Sequence, residues 1–546
     1  MNRVLSVCRT ACIHMRGSDT ERRILLSSGY WRGCSTISSR PTSPARQAER
    51  EAADRHDGSR ADSRYRGPLG VRREGSRPSH CSQGGKVRYD PPMVNASYLT
   101  DASGFTGWAE RLILPETEAQ VVAALGEAVR TGTPVTIAGA GSGLTGSRVP
   151  QGGWVISLER FRRLEIEPGF ARVGPAITLL ELRNEAAQTG QFYAPDPTEI
   201  SASIGGTIAT NASGSRSFRF GSTRRHLRAL RVALLDGSVR WYRRGEKIDF
   251  DVPSIPVPAT TKNTAGYCLA PGMDWIDLFC GSEGTLGVTL EAEVALLPIP
   301  SELLAGVIFF ASDEDALDAV GRWRSVAGLR MLEYADRGSL QMLRGRYPQI
   351  PHAAQAALLI EAEGDDAEAW QARLEENHAL IDDSWFALEA KGRERFRAFR
   401  HAIPELVVET MRRRGFLNMG TDYAVPLSRD REMLAYYRQR LQSELPDRYV
   451  IFGHLGDAHL HVNMLPATTA EAATATRLLK EFAAHAASLG GTVSAEHGLG
   501  KRKASLLPLL FAEQHLEAMR QVKLRFDPQW LLGRGTLFDV GAPGTL

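Results

Sequence analysis

Ala138-Gly-Ala-Gly-Ser-Gly-Leu-Thr-Gly-Ser147 follows directly on the strand-like Val135-Thr-Ile137, and the reading of this glycine-rich turn decides the fold. Taken literally, Gly141, Gly143 and Gly146 spell G-x-G-x-x-G, the dinucleotide fingerprint. That fingerprint must open a helix whose N-terminus holds a pyrophosphate. Here the chain runs at once into Pro150, Gly152 and Gly153, so no lasting helix can start and the Rossmann reading fails. What remains is a turn whose glycines let backbone N–H groups approach an anion closely, as in a nest. Gly139, Ser142, Leu144 and Thr145 belong to the same turn and join the three glycines as candidate contacts.

Two further clusters follow. PDPTEISASIGGTIATNASG (Pro195 to Gly214) combines small residues, which pack a backbone tightly, with the hydroxyl and amide groups of Ser201, Ser203, Thr207, Thr210, Asn211 and Ser213. Such a stretch suits a large planar group with polar edges, with Pro195, Asp196, Gly205, Gly206, Ala209 and Gly214 completing the candidate surface. In GSEGTLGV (Gly281 to Val288) a tight turn carrying Gly281, Glu283, Gly284 and Leu286 precedes an apolar strand. An ordinary tight loop would explain any one of these. Three in sequence within one domain point to a cofactor bed.

Around them the pattern is mixed α and β. Pro115-Glu-Thr-Glu opens an amphipathic helix carrying Val121, Val122, Leu125 and Val129, with Gly132 as its stop. Strands are expected at Val135 and at 154–158, a helix over 178–189, and a hairpin from Leu227 turning at Asp236-Gly237 into Val239. A second phase begins near Ser301, with strands at 306–310 and 357–361 and a helix over 313–327. Residues 509–526 read as one helix, and the closing LLGRGTLFD is expected to pack back on the first domain.

Near the C-terminus, GHLGDAHLHVN (Gly453 to Asn463) and SAEHGLG (Ser494 to Gly500) offer a metal-and-base constellation. His454 and His461 can each give an imidazole nitrogen and Glu496 a carboxylate, a three-donor set that suits an open catalytic divalent site, zinc first. His497 is a titratable base that need not touch the ion. An uninterrupted strand would put His454 and His461 on opposite faces, but Gly456-Asp457 breaks the count, after which His459, His461 and Asn463 alternate onto one face. A lone histidine here would read as a satisfied structural residue; the cluster reads as functional.

The net charge of +3 over 546 residues conceals an asymmetry, for residues 1–92 carry +9 and the remainder −6. The head is rich in Arg, Ser, Gly and Pro and lacks apolar periodicity, so no packed core is expected of it. Three readings stay open: a mitochondrial transit peptide, a basic arm for an anionic surface, or an extension preceding a true start at Met93. Cys8, Cys12, Cys34 and Cys81 lie in it, leaving Cys268 and Cys280 for the body, so no disulfide framework is implied and a reducing compartment fits. The longest apolar stretch, around 294–310, is interrupted by Pro298, Pro300 and Glu302, which argues against an integral membrane protein. Aromatic residues are too sparse among the head's arginines to suggest nucleic-acid binding.

From about Tyr98 to the end, the chain resembles the FAD-linked 2-hydroxy-acid dehydrogenases of the vanillyl-alcohol-oxidase superfamily, the group holding D-lactate dehydrogenase, D-2-hydroxyglutarate dehydrogenase and the glycolate oxidase flavin subunit. The three glycine clusters, KNTAGYCL (Lys262 to Leu269), GHLGD and AEHG fall in that family's order. The resemblance implies an α+β protein with a PCMH-type FAD-binding domain over 98–299, a ferredoxin-like α+β substrate domain over 300–500 and a C-terminal helical segment over 501–546. It implies FAD on the glycine clusters, non-covalent because Val135 to Gly153 holds no histidine or cysteine. It further implies a divalent metal on His454, His461 and Glu496, His497 as base, and Asn463 and Arg400 as substrate contacts. The implied reaction oxidises a small D-2-hydroxy acid by hydride transfer to flavin. Electrons would leave to a cytochrome, a quinone or an electron-transfer flavoprotein, since no iron–sulfur or haem motif is present. The implied setting is cytoplasmic, possibly peripheral to a membrane, with a mitochondrial alternative. Two departures stand out: Ala458-His459 where the family usually has Gly-Asn, and Gly420 where some relatives carry a lysine. Ala458 and His459 keep open a catalytically silent flavin-binding subunit; a flavin oxidase of another alcohol is the other alternative, against which GHLGD and AEHG argue.

Overall fold

The computed structural model describes residues 94–364 and 366–538. The readings of the basic head and of a start at Met93 lie outside the described residues.

The first helix, Glu118–Thr131, starts where the sequence supplies a cap: Thr117 accepts the backbone N–H of Gln120, and Gly132 closes the helix in the left-handed region. Val121, Ala124, Leu125 and Ala128 form its buried stripe, against the parallel three-stranded sheet ordered Arg111–Ile113, Trp154–Ser157, Val135–Ala138. The glycine-rich turn leaves the end of Val135–Ala138, and the next regular element is the strand Trp154–Ser157, so no helix follows it. A five-stranded antiparallel sheet, ordered Leu164–Glu167, Phe170–Val173, Val288–Ala295, Leu227–Ala233, Val239–Arg243, stands beside it. The helix Leu179–Gln188 carries a complete capping box between Thr178 and Glu181.

From Leu303 the chain builds an eight-stranded antiparallel sheet. Its middle strands are Leu329–Asp336, Tyr449–His454 and His459–Met464, flanked on one side by Ala356–Glu363 and Leu303–Phe310 and on the other by short strands at Met419–Gly420 and Tyr423–Ala424. One apolar core runs from Ala171 and Leu230 in the smaller sheet to Ile360 and Leu460 in the larger.

The C-terminal segment differs from a single helix over 509–526. It is Leu507–Leu510, a break at Phe511-Ala512, and then Glu513–Phe526. Beyond it the tail returns to the first sheet: Leu532 bridges Val135, the Val135 N–H donates to the Leu531 carbonyl at 2.7 Å, and Gly533 N–H donates to the Val135 carbonyl at 2.9 Å. Among the described residues no helix is long and apolar enough to cross a membrane, and Cys268 and Cys280 are free.

Candidate functional site

Tyr449–His454 and His459–Met464 form a hairpin turned by the short 3-10 helix Leu455–Asp457, in a register that sets His454 opposite His459 and Phe452 opposite His461. Cross-strand partners share a face, and alternate residues along a strand do too, so His454, His459, His461 and Asn463 all point the same way. Asn463 pairs with Gly420, where an added Cβ would come within 2.7 Å of Asn463 Oδ1, so the glycine keeps the amide uncrowded. Ala458 opens the second strand in the left-handed region, φ 53° and ψ 35°. A side chain there costs about 1–2 kcal/mol, and glycine's extra chain entropy returns about 0.5–1 kcal/mol of that. Ala458→Gly is therefore expected to stabilise the fold by roughly 0.5–1 kcal/mol, read as a higher urea midpoint.

One donor atom each from His454, His459, His461 and Glu496 lies within 4.8 Å of the others. Three of the four side chains are gripped from behind. Glu333 Oε1 lies 2.5 Å from His454 Nδ1, which donates to it, and the Thr421 carbonyl accepts from His461 Nδ1 at 3.2 Å. Glu496 Oε1 accepts from Lys262 Nζ at 2.7 Å, Ser213 Oγ at 2.8 Å and Gly214 N–H at 3.0 Å. Its other oxygen, Oε2, stands 3.2 Å from His454 Nε2 and 3.9 Å from His461 Nε2. With both Nδ1 positions donating backwards, two imidazole lone pairs and a carboxylate oxygen converge, an arrangement satisfied by a shared proton or by a cation. The donor set thus fits a divalent ion.

The electrostatics agree. Burial opposes the Glu496 charge, yet His454 and Lys262 hold its carboxyl well below the ordinary range. Burial, together with neighbouring His459 and His454, drives His461 well down and keeps its imidazole neutral, the form that ligates. Burial would lower His454, but Glu333 and Glu496 raise it. Burial likewise opposes the Glu333 charge, but Arg400 and His454 bring its carboxyl to about 2.

His497 stands outside the donor group, its ring 5.8 Å from that of His461 and its side chain 29% exposed. Behind it lies Asp422, wholly buried, whose Oδ2 sits 3.3 Å from His497 Nδ1 and accepts the His497 backbone N–H at 3.0 Å. Asp422 Oδ1 accepts the Glu496 N–H at 3.2 Å, so a single carboxylate fixes both residues. Burial would raise Asp422, but the neighbouring His497 holds its carboxyl well below the ordinary carboxylate range. A proton on Nδ1 toward Asp422 leaves the His497 Nε2 lone pair facing outward, the orienting logic of an acid–base dyad. Asp422, Lys262 and Glu333 were not read as functional from sequence. Lys262 lies in the KNTAGYCL stretch, but the partners of all three are distant in the chain.

Arg400 is placed on the long helix Ala390–Arg413, its Nε donating to Glu333 Oε2 at 2.9 Å and its Nη1 to Thr198 Oγ1 at 3.0 Å. Among the described residues its Nη2 has no hydrogen-bond acceptor.

The glycine clusters meet one another. Ala140 N–H reaches Ser203 Oγ at 3.4 Å, and Ser203 caps the helix Ile204–Thr210 that contains Gly205, Gly206, Ala209 and Thr210. Gly281 and Glu283 donate their N–H groups to the carbonyls of Ile208 and Ala209 at the end of that helix. Asn211 ends it, its Oδ1 accepting from Arg224 N–H at 2.9 Å. Along the first turn, Gly139, Gly143 and Leu144 are exposed, and the backbone N–H groups of Gly141 to Thr145 have no protein acceptor among the described residues. A row of unspent amides is what a pyrophosphate needs, so these residues fit FAD. Other candidates are engaged within the protein. Gly146 donates to Asp101, Ser201 bonds Glu199, and Asp196, which follows Pro195, is ringed by Arg183, Arg216 and Arg397. Leu286 is core, and Glu283 accepts from Ser147 Oγ and from the N–H groups of Leu499 and Gly500, tying the first cluster to the loop that carries His497. Gly214 adopts φ 102° where a Cβ would strike the Asp196 carbonyl at 2.0 Å, and this close approach lets its N–H reach Glu496.

Fold and site define a two-part FAD-linked oxidoreductase in which a flavin-binding half is bolted to a histidine-rich half through Glu496. Residues 109–243 match the family model described as FAD binding domain, and residues 299–537 match FAD linked oxidases, C-terminal domain. A D-lactate dehydrogenase of Archaeoglobus fulgidus is 30% identical over 78% of this chain and 90% of its own length. Glycolate oxidase subunit GlcD of Escherichia coli K12 is 30% identical over 78% of this chain and 82% of its own. The chain belongs to this FAD-linked oxidase family of 2-hydroxy-acid dehydrogenases. In three dimensions it is similar to alkyldihydroxyacetonephosphate synthase, with a TM-score of 0.56, 16% identity and coverage of 77% of this chain and 76% of the other, a likeness of fold.

Proposed function

We propose that the protein oxidises a small D-2-hydroxy acid to the 2-oxo acid, with FAD as hydride acceptor and a divalent ion as Lewis acid. The observation that carries this reading is the convergence of His454 Nε2, His461 Nε2 and Glu496 Oε2 next to the His497–Asp422 pair. FAD held on the glycine clusters would supply an acceptor for the C2 hydrogen with its electron pair, and an ion held by His454, His461 and Glu496 would supply polarisation of the substrate hydroxyl. His497 Nε2 accepts the hydroxyl proton, while Asp422 holds the ring and steadies the positive charge that results. The free corner of Arg400 and the Asn463 amide orient the substrate carboxylate and oxygen, choosing the face of C2 presented to the flavin. Glu496 joins the two halves, since its Oε1 is held by Ser213, Gly214 and Lys262 from the flavin-binding part. The electrons that bound FAD would receive would be handed on to a quinone, a cytochrome or an electron-transfer flavoprotein.

Anaerobic mixing of the purified yellow protein with D- and L-2-hydroxy acids tests the reading. Bleaching by a D-acid, lost on chelation and restored by a divalent ion, is expected. A flavin that no hydroxy acid bleaches would overturn it in favour of a silent subunit or another alcohol.

Asp422→Asn is expected to retain FAD and lower kcat by about 10- to 100-fold, because an amide supports the His497 tautomer and charge less well. Steady-state kinetics beside the flavin spectrum check this; an unchanged kcat would assign Asp422 a purely structural role.

A further inference from the structure

We infer that His459 is a fourth protein donor, so that the site offers three imidazoles and one carboxylate. This rests on the metal reading proposed above and goes beyond the three-donor set His454, His461 and Glu496.

His459 is wholly buried, and neither ring nitrogen makes a well-formed hydrogen bond. Nε2 approaches Asp422 Oδ1 to 3.3 Å without the alignment of a hydrogen bond. A buried imidazole left in that state is costly unless something else takes a lone pair. Its position says what. The ring lies 4.5 Å from that of His461 and 5.2 Å from that of His454, and one of its nitrogens belongs to the group of donors mutually within 4.8 Å. Each donor also has an outer neighbour, which for His459 is in proximity without a formed hydrogen bond. His454 is backed by Glu333, His461 by the Thr421 carbonyl, Glu496 by Lys262 and His459 by Asp422. Metal-ligating side chains are oriented in this way, one edge to an outer partner and the other to the ion.

Four protein donors change the metal preference. A tetrahedral ion such as zinc would have its coordination filled by protein, the closed arrangement of structural sites. An ion accepting five or six ligands, such as manganese or cobalt, keeps positions for a substrate hydroxyl and carboxylate. The chain should therefore retain zinc well and turn over at least tenfold faster with manganese or cobalt. His459→Asn should narrow or reverse that ratio.

X-ray absorption at the zinc edge of the full-length, FAD-containing protein loaded with one equivalent of zinc provides the test. Three imidazoles per zinc are expected in the wild type and two in His459→Asn, together with the change in manganese-to-zinc activity ratio. Two imidazoles in the wild type would overturn the assignment of His459 while leaving the three-donor site intact. Zinc bound without imidazoles, or not bound stoichiometrically, would overturn the metal reading itself. Full activity with zinc held by three imidazoles would overturn the preference for higher coordination. The wild-type spectrum decides the ligand count even if the variant fails to fold.

Discussion

His497→Ala is expected to yield a yellow, folded protein whose turnover with a D-2-hydroxy acid is lower by a factor of about 10² or more, the usual scale for removing a general base. Geometry separates this loss from general damage. The backbone N–H of residue 497 still donates to Asp422, so the loop that presents Glu496 keeps its anchor. The imidazole is 29% exposed, so its removal leaves a solvated notch rather than a core void. None of the four clustered donors belongs to His497, and metal content should stay near that of the wild type. Added imidazole should restore part of the rate, which a merely structural histidine would not allow. Unchanged kcat, with flavin and metal retained, would remove His497 from the base role and shift attention to solvent or to His459 as proton acceptor.

The parts of this site legible in the sequence were those governed by short-range geometry. Period-two alternation put His459, His461 and Asn463 on one face, and the Gly456-Asp457 turn brought His454 round to join them. Chain direction after a glycine cluster was equally legible, since Pro150 and the paired glycines forbade a helix after the first turn. The helix Ile204–Thr210 was not read, because two glycines argue against helix. Ser203 as cap and the packing of Gly205 against Pro175 outweigh that propensity. The break at Phe511-Ala512 escaped for a related reason, for apolar periodicity continues through it. Long-range partners left no trace at all. Glu333 lies 121 residues from His454, Lys262 lies 234 from Glu496, and Asp422 lies 75 from His497. Among 63 acidic residues nothing local marks the two that matter. Arg400 was read as a substrate contact, but its engagement with Glu333 was not foreseen, and that pairing ties the expected substrate clamp to the histidine cluster.

Glu496→Gln is expected to abolish metal binding and activity together while FAD remains. Oε1 and Oε2 have different tasks, and an amide cannot do both. If the glutamine oxygen stays with Lys262, Ser213 and Gly214, the NH₂ group faces His454 and His461, where a donor cannot hold a cation. If the amide flips, its NH₂ meets the Lys262 ammonium, donor against donor, and among the described residues Lys262 retains only Asp457 at 3.3 Å. Loss of the negative charge also removes what offsets the desolvation of Lys262, and breaking a buried pair typically costs about 3–5 kcal/mol. Outer partners of a ligand are worth about 10–100-fold in metal affinity, so losing the ligand itself should exceed about 10². Metal per flavin by elemental analysis, an excess-metal titration of turnover and the thermal midpoint together read the outcome. The midpoint should fall even though the flavin spectrum persists, because Glu496 joins the two halves as well as serving the ion. A fully metallated and active Glu496→Gln protein would remove this carboxylate from the ligand set and, with it, the argument that the two halves share one site.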